Sequence, residues 1–153
     1  MRLSHHTAVA GALLVLMATS AGAETFATRD EAVAMVGKAV AEIKSAGAEK
    51  AFTAFNDKNG SFTNHDLYVV VYDRTGRCIA HGANPKLIGK DLIDAQDIDG
   101  KLYVKERVEM AQSKQSFWQD YKFTNPTNKK VEPKQMYCEV LGENIVCAGI
   151  YKK

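Results

Sequence analysis

Residues 67–82 read LYVVVYDRTGRCIAHG: a run of β-branched and aromatic residues, a polar break, then a second alternating run. Val, Ile and Tyr suit a pleated, half-buried surface, and Asp73-Arg74-Thr75-Gly76 supplies turn chemistry with a glycine for positive φ, so the stretch predicts a β-hairpin. Two strands alone are marginal in water. The apolar face of this hairpin therefore requires more strands and a covering helix from the flanking sequence.

Both flanks supply them. Thr28-Arg29-Asp30-Glu31 matches a capping box, and Val33, Val36, Val40 and Ile43 follow at three- and four-residue spacing with Lys38, Glu42 and Lys44 on other faces, which predicts an amphipathic helix. Gly47 ends or bends it, and residues 48–55 form a further short helical stretch with Phe52 and Phe55 inward. Residues 56–66 are turn-rich and read as a loop. Residues 82–100 (GANPKLIGKDLIDAQDIDG) form a long loop pinned by Leu87, Ile88, Leu92 and Ile93, the pattern of a cover over a functional surface. Asp99-Gly100 then opens a helix over residues 101–113, with Val104, Val108 and Ala111 on one side. Residues 116–123 are a third strand, Asn125-Pro126 a turn, and residues 133–141 and 144–151 a last hairpin about Gly142. The order predicts an α+β, PAS-like fold: a five-stranded antiparallel sheet, helices mainly on one face, and a long N-terminal helix.

The N-terminus changes the picture of where this domain works. Arg2 precedes an apolar stretch at residues 8–18 that is too short to span a bilayer, and Ala21-Gly22-Ala23 gives an A-x-A cleavage site. We expect a signal peptide over residues 1–23 and one mature domain over residues 24–153, periplasmic or secreted, with no membrane span. No cysteine follows the cut, which argues against a lipid anchor. His5 and His6 leave with the leader, so His65 and His81 remain. A net charge of +2, from 20 basic and 18 acidic residues spread evenly, offers no surface for nucleic acid or an anionic membrane.

Catalytic and metal motifs are sparse. G-x-S-x-G, a phosphate-cradling glycine loop, H-E-x-x-H and C-x-x-C-H do not occur. Cys78 and His81, three apart on one strand, point to opposite faces unless a bulge intervenes, so they do not form a nucleophile and base pair. The reading is of a binding protein rather than an enzyme. Placing Gly100 at the sharp turn of a calcium loop puts Asp97, Asp99 and Glu106 at ligand positions, but the first ligand position is then Ala95, so the segment reads as a turn and helix cap. No metal or cofactor is expected. Centring the last hairpin on Gly142-Glu143 sets Cys138 opposite Cys147, within reach of a disulfide in an oxidising compartment; small buried thiols are the alternative, and one of the three cysteines stays unpaired either way.

The side chains that an apolar sheet face does not need are Tyr68, Tyr72, His81, Trp118, Tyr121, Lys134 and Tyr137, which combine ring walls with the donors a small anion requires. Strand parity divides them: Lys134 and Tyr137 face opposite sides of a regular strand, as do Trp118 and Tyr121, unless a bulge or a strand start near Pro133 intervenes.

Residues 66–151 resemble the single Cache domain, particularly its second subtype, the extracytoplasmic sensing module of many bacterial chemoreceptors and sensor kinases. The resemblance lies in LYVVVYDRTGRCIAHGANPKLIGKDLIDAQDIDGK, the W-x-x-Y of Trp118 and Tyr121, the Asn125-Pro126 turn, VEPKQMY at residues 131–137, and AGIY at residues 148–151. It implies a PAS-like sheet whose pocket binds a small organic molecule, commonly a short carboxylate. It also raises Lys134, in the family's P-K-x-x-Y segment, and His81, which ends the second strand. We expect Lys134 to be the main electrostatic anchor, since a partly desolvated ammonium attracts a carboxylate strongly, with His81 and one or more tyrosines, first among them Tyr121, completing the hydrogen bonding. Family members are often held by a transmembrane helix on each side. Here the chain stops at Lys153, so we expect a free-standing domain whose output passes through a separate partner such as a membrane receptor, kinase or transporter. The competing expectation is a structural or protein-interaction module with a self-filled pocket and no small-molecule ligand.

Overall fold

A capping box starts the first helix. Thr28 Oγ1 accepts the Glu31 N–H at 3.3 Å while the Glu31 carboxylate accepts the Thr28 N–H at 2.7 Å, and α1 runs on over Arg29–Ala46. The computed structural model describes residues 26–152, so the leader expected over residues 1–23 lies outside it. The buried stripe of α1 is Ala32, Val36, Ala39 and Ile43. Val33, expected on that face, is 38% exposed: with the two alanines turned inward the helix axis can lie closer to the sheet than a row of valines allows. Gly47, at φ 87°, ends the helix with its N–H on the Ile43 carbonyl at 3.1 Å, and α2 (Ala48–Phe55) departs at once to bury Phe55 against Phe62.

All five predicted strands form and all pair antiparallel: β2 (Leu67–Asp73), β3 (Cys78–His81), β4 (Ser116–Thr124), β5 (Val131–Leu141) and β6 (Asn144–Tyr151). A two-residue strand, β1 (Thr63–Asn64), is added inside the predicted loop of residues 56–66. β6 lies beside β2, followed by β5 and β4, while β3 and the short β1 share the other edge of β2. β2 is thus an interior strand, paired on both sides and covered on both faces, which is why its residues 67–72 are buried and read as a near-continuous apolar run.

Period-two alternation sorts the core into two layers. Leu67, Val69, Val71, Val146, Ala148 and Ile150 face α1 and α2; Tyr68, Val70, Tyr72, Met136, Ile145 and Tyr151 face the other way, toward α3 (Tyr103–Ser113). Cys138 and Cys147 are direct cross-strand partners on the α3 side, as the turn at Gly142 predicts, and they are joined as a disulfide. The loop of residues 82–100 closes over that side: Leu87, Leu92, Ile93 and Ala95 pack into the α3-side core. Its backbone is clipped to β3, with Gly89 N–H on the Cys78 carbonyl at 2.7 Å and Cys78 N–H on the Lys90 carbonyl at 2.9 Å.

Two local expectations need correction. α3 begins at Tyr103 rather than residue 101 and carries no side-chain cap; Asp97, not Asp99, organises the turn, its Oδ1 accepting the N–H of Asp99 and Lys101 at 2.9 and 3.0 Å and its Oδ2 that of Lys122 at 3.0 Å. β3 is also not regular. Tyr72 pairs with Cys78 and Val71 with Ala80, leaving Ile79 as the extra residue of a bulge. Cys78 and His81 therefore lie on the same face, which strict alternation had excluded.

Candidate functional site

The α3 layer holds an unusual concentration of polar and aromatic side chains for a sheet core. The central one is Arg107. It lies on the buried stripe of α3 with Tyr103, Val104, Val108 and Ala111, and none of its surface reaches solvent. Its Nε donates to Gln119 Oε1 at 3.0 Å, and Gln119 is held in turn by donating Nε2 to the Tyr103 carbonyl at 2.8 Å and to the Glu106 carboxylate. The rings of Tyr72, Tyr121 and Tyr103 surround the guanidinium, with centroids 5.0, 5.2 and 5.7 Å from Cζ. The Tyr121 hydroxyl also interacts with it. Neither terminal nitrogen nevertheless has an acceptor in hydrogen-bond geometry among the described residues. An arginine keeps its charge under such burial, and buried donors left without acceptors are costly.

Lys134 sits one cross-strand pair away. It is directly opposite Tyr121 on β4 and Tyr151 on β6, and it is 1% exposed. Its Nζ donates to the Tyr68 hydroxyl at 2.8 Å and the Tyr151 hydroxyl at 3.2 Å, and the Tyr151 hydroxyl donates to the Thr124 carbonyl at 2.8 Å. Burial, and then the Arg107 charge, hold the Lys134 pKa well below the usual lysine value against a weaker opposing pull from Asp66. The stem fits because position 149 on β6 is glycine: a Cβ there would stand 2.8 Å from Lys134 Cε.

His81 completes the layer. Its ring stacks on Tyr68 at 5.1 Å, and Nδ1 accepts the N–H of Asn84 at 2.9 Å and of Ala83 at 3.2 Å, which fixes the neutral tautomer with the proton on Nε2. Burial, reinforced by the Lys134 charge, pushes its pKa down to about 3. Although the bulge turns Cys78 to the same side, no nucleophile and base pair results: burial raises the Cys78 thiol to about 12, its Sγ donates to the Ala80 carbonyl at 3.6 Å, and His81 Nδ1 is occupied by backbone.

Two cavities flank the Lys134–Tyr68 contact. One, of about 260 Å³, reaches Tyr121, Pro133 and Lys134 beneath a rim of Asp99, Lys122 and Lys152; the other, of about 370 Å³, is lined by Tyr68, His81 and Phe123 with Asn84, Lys86 and Lys129 at its mouth. Of the seven sequence candidates, Tyr68, His81, Tyr121 and Lys134 line these two cavities, and Tyr72 lies in the same layer against Arg107. Trp118 and Tyr137 do neither, and as pocket residues they are corrected. They stack on each other at 5.1 Å on the α1 side of the sheet, where Arg29 covers the Trp118 ring at 3.8 Å and the Tyr137 hydroxyl donates to Glu139. β4 and β5 are regular there, so parity decides. Arg107, Gln119 and Tyr151 were absent from the sequence candidates. Among the described residues no group of three or more His, Cys, Asp or Glu side chains is placed to hold a metal ion, and no helix is long and apolar enough to cross a membrane.

The chain belongs to the single Cache domain 2 family, whose model matches residues 5–144. Its fold is similar to that of a methyl-accepting chemotaxis protein from Vibrio parahaemolyticus RIMD 2210633, with 25% identity over 80% of this chain and 86% of that one and a TM-score of 0.69. It is also similar to the periplasmic sensor domain of a chemotaxis protein, with 23% identity, 81% and 90% coverage and a TM-score of 0.65. A Cache chemosensory domain described for its carboxylic acid recognition gives 22% identity, 81% and 92% coverage and a TM-score of 0.68. A search of curated proteins finds none that matches. The protein is thus a single Cache sensor domain, similar to the periplasmic ligand-binding domains of chemotaxis receptors.

Proposed function

We propose that this domain works outside the cytoplasm, after removal of residues 1–23, as a reversible receptor for a short carboxylate, and that it passes the occupied state to a separate signalling partner without covalent chemistry. The observation that carries this reading is the Arg107 guanidinium, buried to completion with both terminal nitrogens lacking acceptors. A bidentate carboxylate matches that fork, supplies the missing acceptors, and offsets a charge whose burial is otherwise unfavourable. The main electrostatic anchor moves from Lys134 to Arg107, because two donor positions of Lys134 already serve the Tyr68 and Tyr151 hydroxyls. Lys134, Tyr121, Tyr72 and the Nε2–H of His81 are the supporting donors and walls. The relative described for carboxylic acid recognition adds support by analogy of fold.

A thermal-shift screen of small organic acids and amines tests this. An acid held at a hundredfold excess over its Kd stabilises the folded state by about 2.7 kcal/mol, which for a domain of this size raises Tm by roughly 10 °C. We expect at least one short acid, and no amine, to give such a shift, and Arg107→Met to abolish it. A panel of acids that leaves Tm unmoved, or shifts that survive in Arg107→Met, would reject the reading in favour of a self-filled interaction module.

A further inference from the structure

The α3 layer buries two basic side chains, and burial together with the charge of Arg107 holds the Lys134 pKa well below the usual lysine value. Arg107 comes from α3 and Lys134 from β5, and Tyr121 links them: its ring is 5.2 Å from Arg107 Cζ, and its backbone is paired directly with that of Lys134. Each cation has donors to spare. Both terminal nitrogens of Arg107 lack acceptors, and an ammonium at Lys134 has a third proton beyond those given to the Tyr68 and Tyr151 hydroxyls.

The acids nearby answer, at least in part, to other groups. Asp66, whose charge acts on Lys134, is itself buried; its Oδ1 accepts the Ala27 N–H at 3.1 Å, while its Oδ2 has no hydrogen-bond partner among the described residues. At the rim of the smaller cavity, Asp99 pairs with Lys122 at 2.8 Å and Asp120 with Lys152 at 2.7 Å. Two like charges in one desolvated core repel each other, so an anion that meets only Arg107 leaves the Lys134 amine without the counter-charge that would favour its protonated form. A monocarboxylate is such an anion.

We propose that the preferred ligand of this site is a short dicarboxylate, with one carboxylate on the Arg107 fork and the other at the Lys134 amine. The inference rests on the carboxylate reading above and narrows it to a doubly charged class. Lys134 is then the residue that sets specificity between diacids and monoacids, while Arg107 binds both.

Calorimetry with acids matched in carbon number is the test: propionate against malonate, butyrate against succinate, valerate against glutarate, at constant pH and ionic strength on the mature protein. At least one diacid binds about 10- to 150-fold tighter than its matched monoacid, the span that one charge-assisted hydrogen bond supplies. Lys134→Met closes that gap by weakening each diacid more than its matched monoacid, whereas Arg107→Met weakens both partners of each pair. Lys134→Gln, which keeps a donor without charge, gives the same closure and guards against a folding defect peculiar to the methionine. Equal affinities within every wild-type pair, or a gap that persists in both Lys134 variants, overturns the inference and leaves the carboxylate reading standing. If no acid of either kind binds, both fall together.

Discussion

Replacing Lys134 by Met tests whether the buried amine is held without a full counter-charge, and it does so with no ligand present. Methionine keeps an unbranched stem of similar volume, so the space beside Gly149 stays filled and the packing loss is small. Two hydrogen bonds to tyrosine hydroxyls disappear, worth about 0.5–1.5 kcal/mol each. The two hydroxyls keep each other at 3.3 Å, and Tyr151 keeps the Thr124 carbonyl. Against this loss, the variant no longer desolvates an amine, a relief of roughly 1–3 kcal/mol. Near neutral pH the two nearly cancel, and the variant's stability lies within about 1 kcal/mol of wild type.

The pH dependence does not cancel. In the folded protein the Lys134 pKa is well below its value of about 10.4 in an unfolded chain. Between those two values the unfolded chain carries a proton that the folded protein lacks, so wild-type stability rises with pH, by at most about 1.4 kcal/mol per pH unit from this group. Lys134→Met removes that slope. The variant is therefore favoured relative to wild type at about pH 6 and disfavoured at about pH 9, with the difference changing by on the order of 1–3 kcal/mol across the range. Tyr68, Tyr72, Tyr121 and Tyr151, whose pKa values burial raises, pull the other way above roughly pH 9.5, but they remain in both proteins. Urea unfolding followed by circular dichroism at four pH values, with the disulfide intact, measures the difference directly. Parallel stability curves for the two proteins would mean that Lys134 keeps an ordinary lysine pKa in the folded state, and that burial beside Arg107 does not hold its amine toward the neutral form.

His81 gives an acid-side counterpart: with its pKa at about 3 in the folded protein and about 6.5 unfolded, it contributes stability that is complete above pH 6.5 and is lost as pH falls toward 3, by at most about 1.4 kcal/mol per unit. His81→Asn keeps an acceptor for the Ala83 and Asn84 N–H groups and has nothing to titrate, so its urea midpoints should fall less steeply between pH 6.5 and 4 than those of wild type; equal slopes would place the proton elsewhere. Gly149→Ala should cost about 1–3 kcal/mol in urea unfolding, because the new Cβ meets Lys134 Cε at 2.8 Å and the Gln135 carbonyl at 2.9 Å. A neutral substitution there would show that the lysine stem can move aside.

The strands were legible because their signal is local. Period-two alternation and turn glycines specify β2, β4, β5 and β6 with little help from the rest of the chain, and the Gly142 turn alone sets the register that opposes Cys138 to Cys147. Parity likewise separated Lys134 from Tyr137 and Tyr121 from Trp118 before any coordinates, although it could not say which member of each pair faced the pocket. That choice depends on which face α3 and the loop of residues 82–100 cover, a long-range matter. The bulge at Ile79 is long-range as well. Cys78 exchanges backbone hydrogen bonds with Gly89 and Lys90, so the loop rather than the hairpin pulls β3 out of register.

Arg107 is a different case, because its signal was present in the chain. On a helix, residues three and four positions away share a face, and an exposed arginine there commonly has a carboxylate or another polar group among them. Around Arg107 those positions are Tyr103, Val104, Met110 and Ala111. A cation set into an otherwise apolar stripe, with no acid on its own helix face, has to find its acceptors across the core or in something bound there. The sheet supplies one, Gln119, and it satisfies only Nε. The two nitrogens left over are the strongest local reason for regarding this layer as a receptor rather than a core that happens to contain polar groups, since a core built only for stability gains nothing from a buried guanidinium that its own side chains leave half-satisfied.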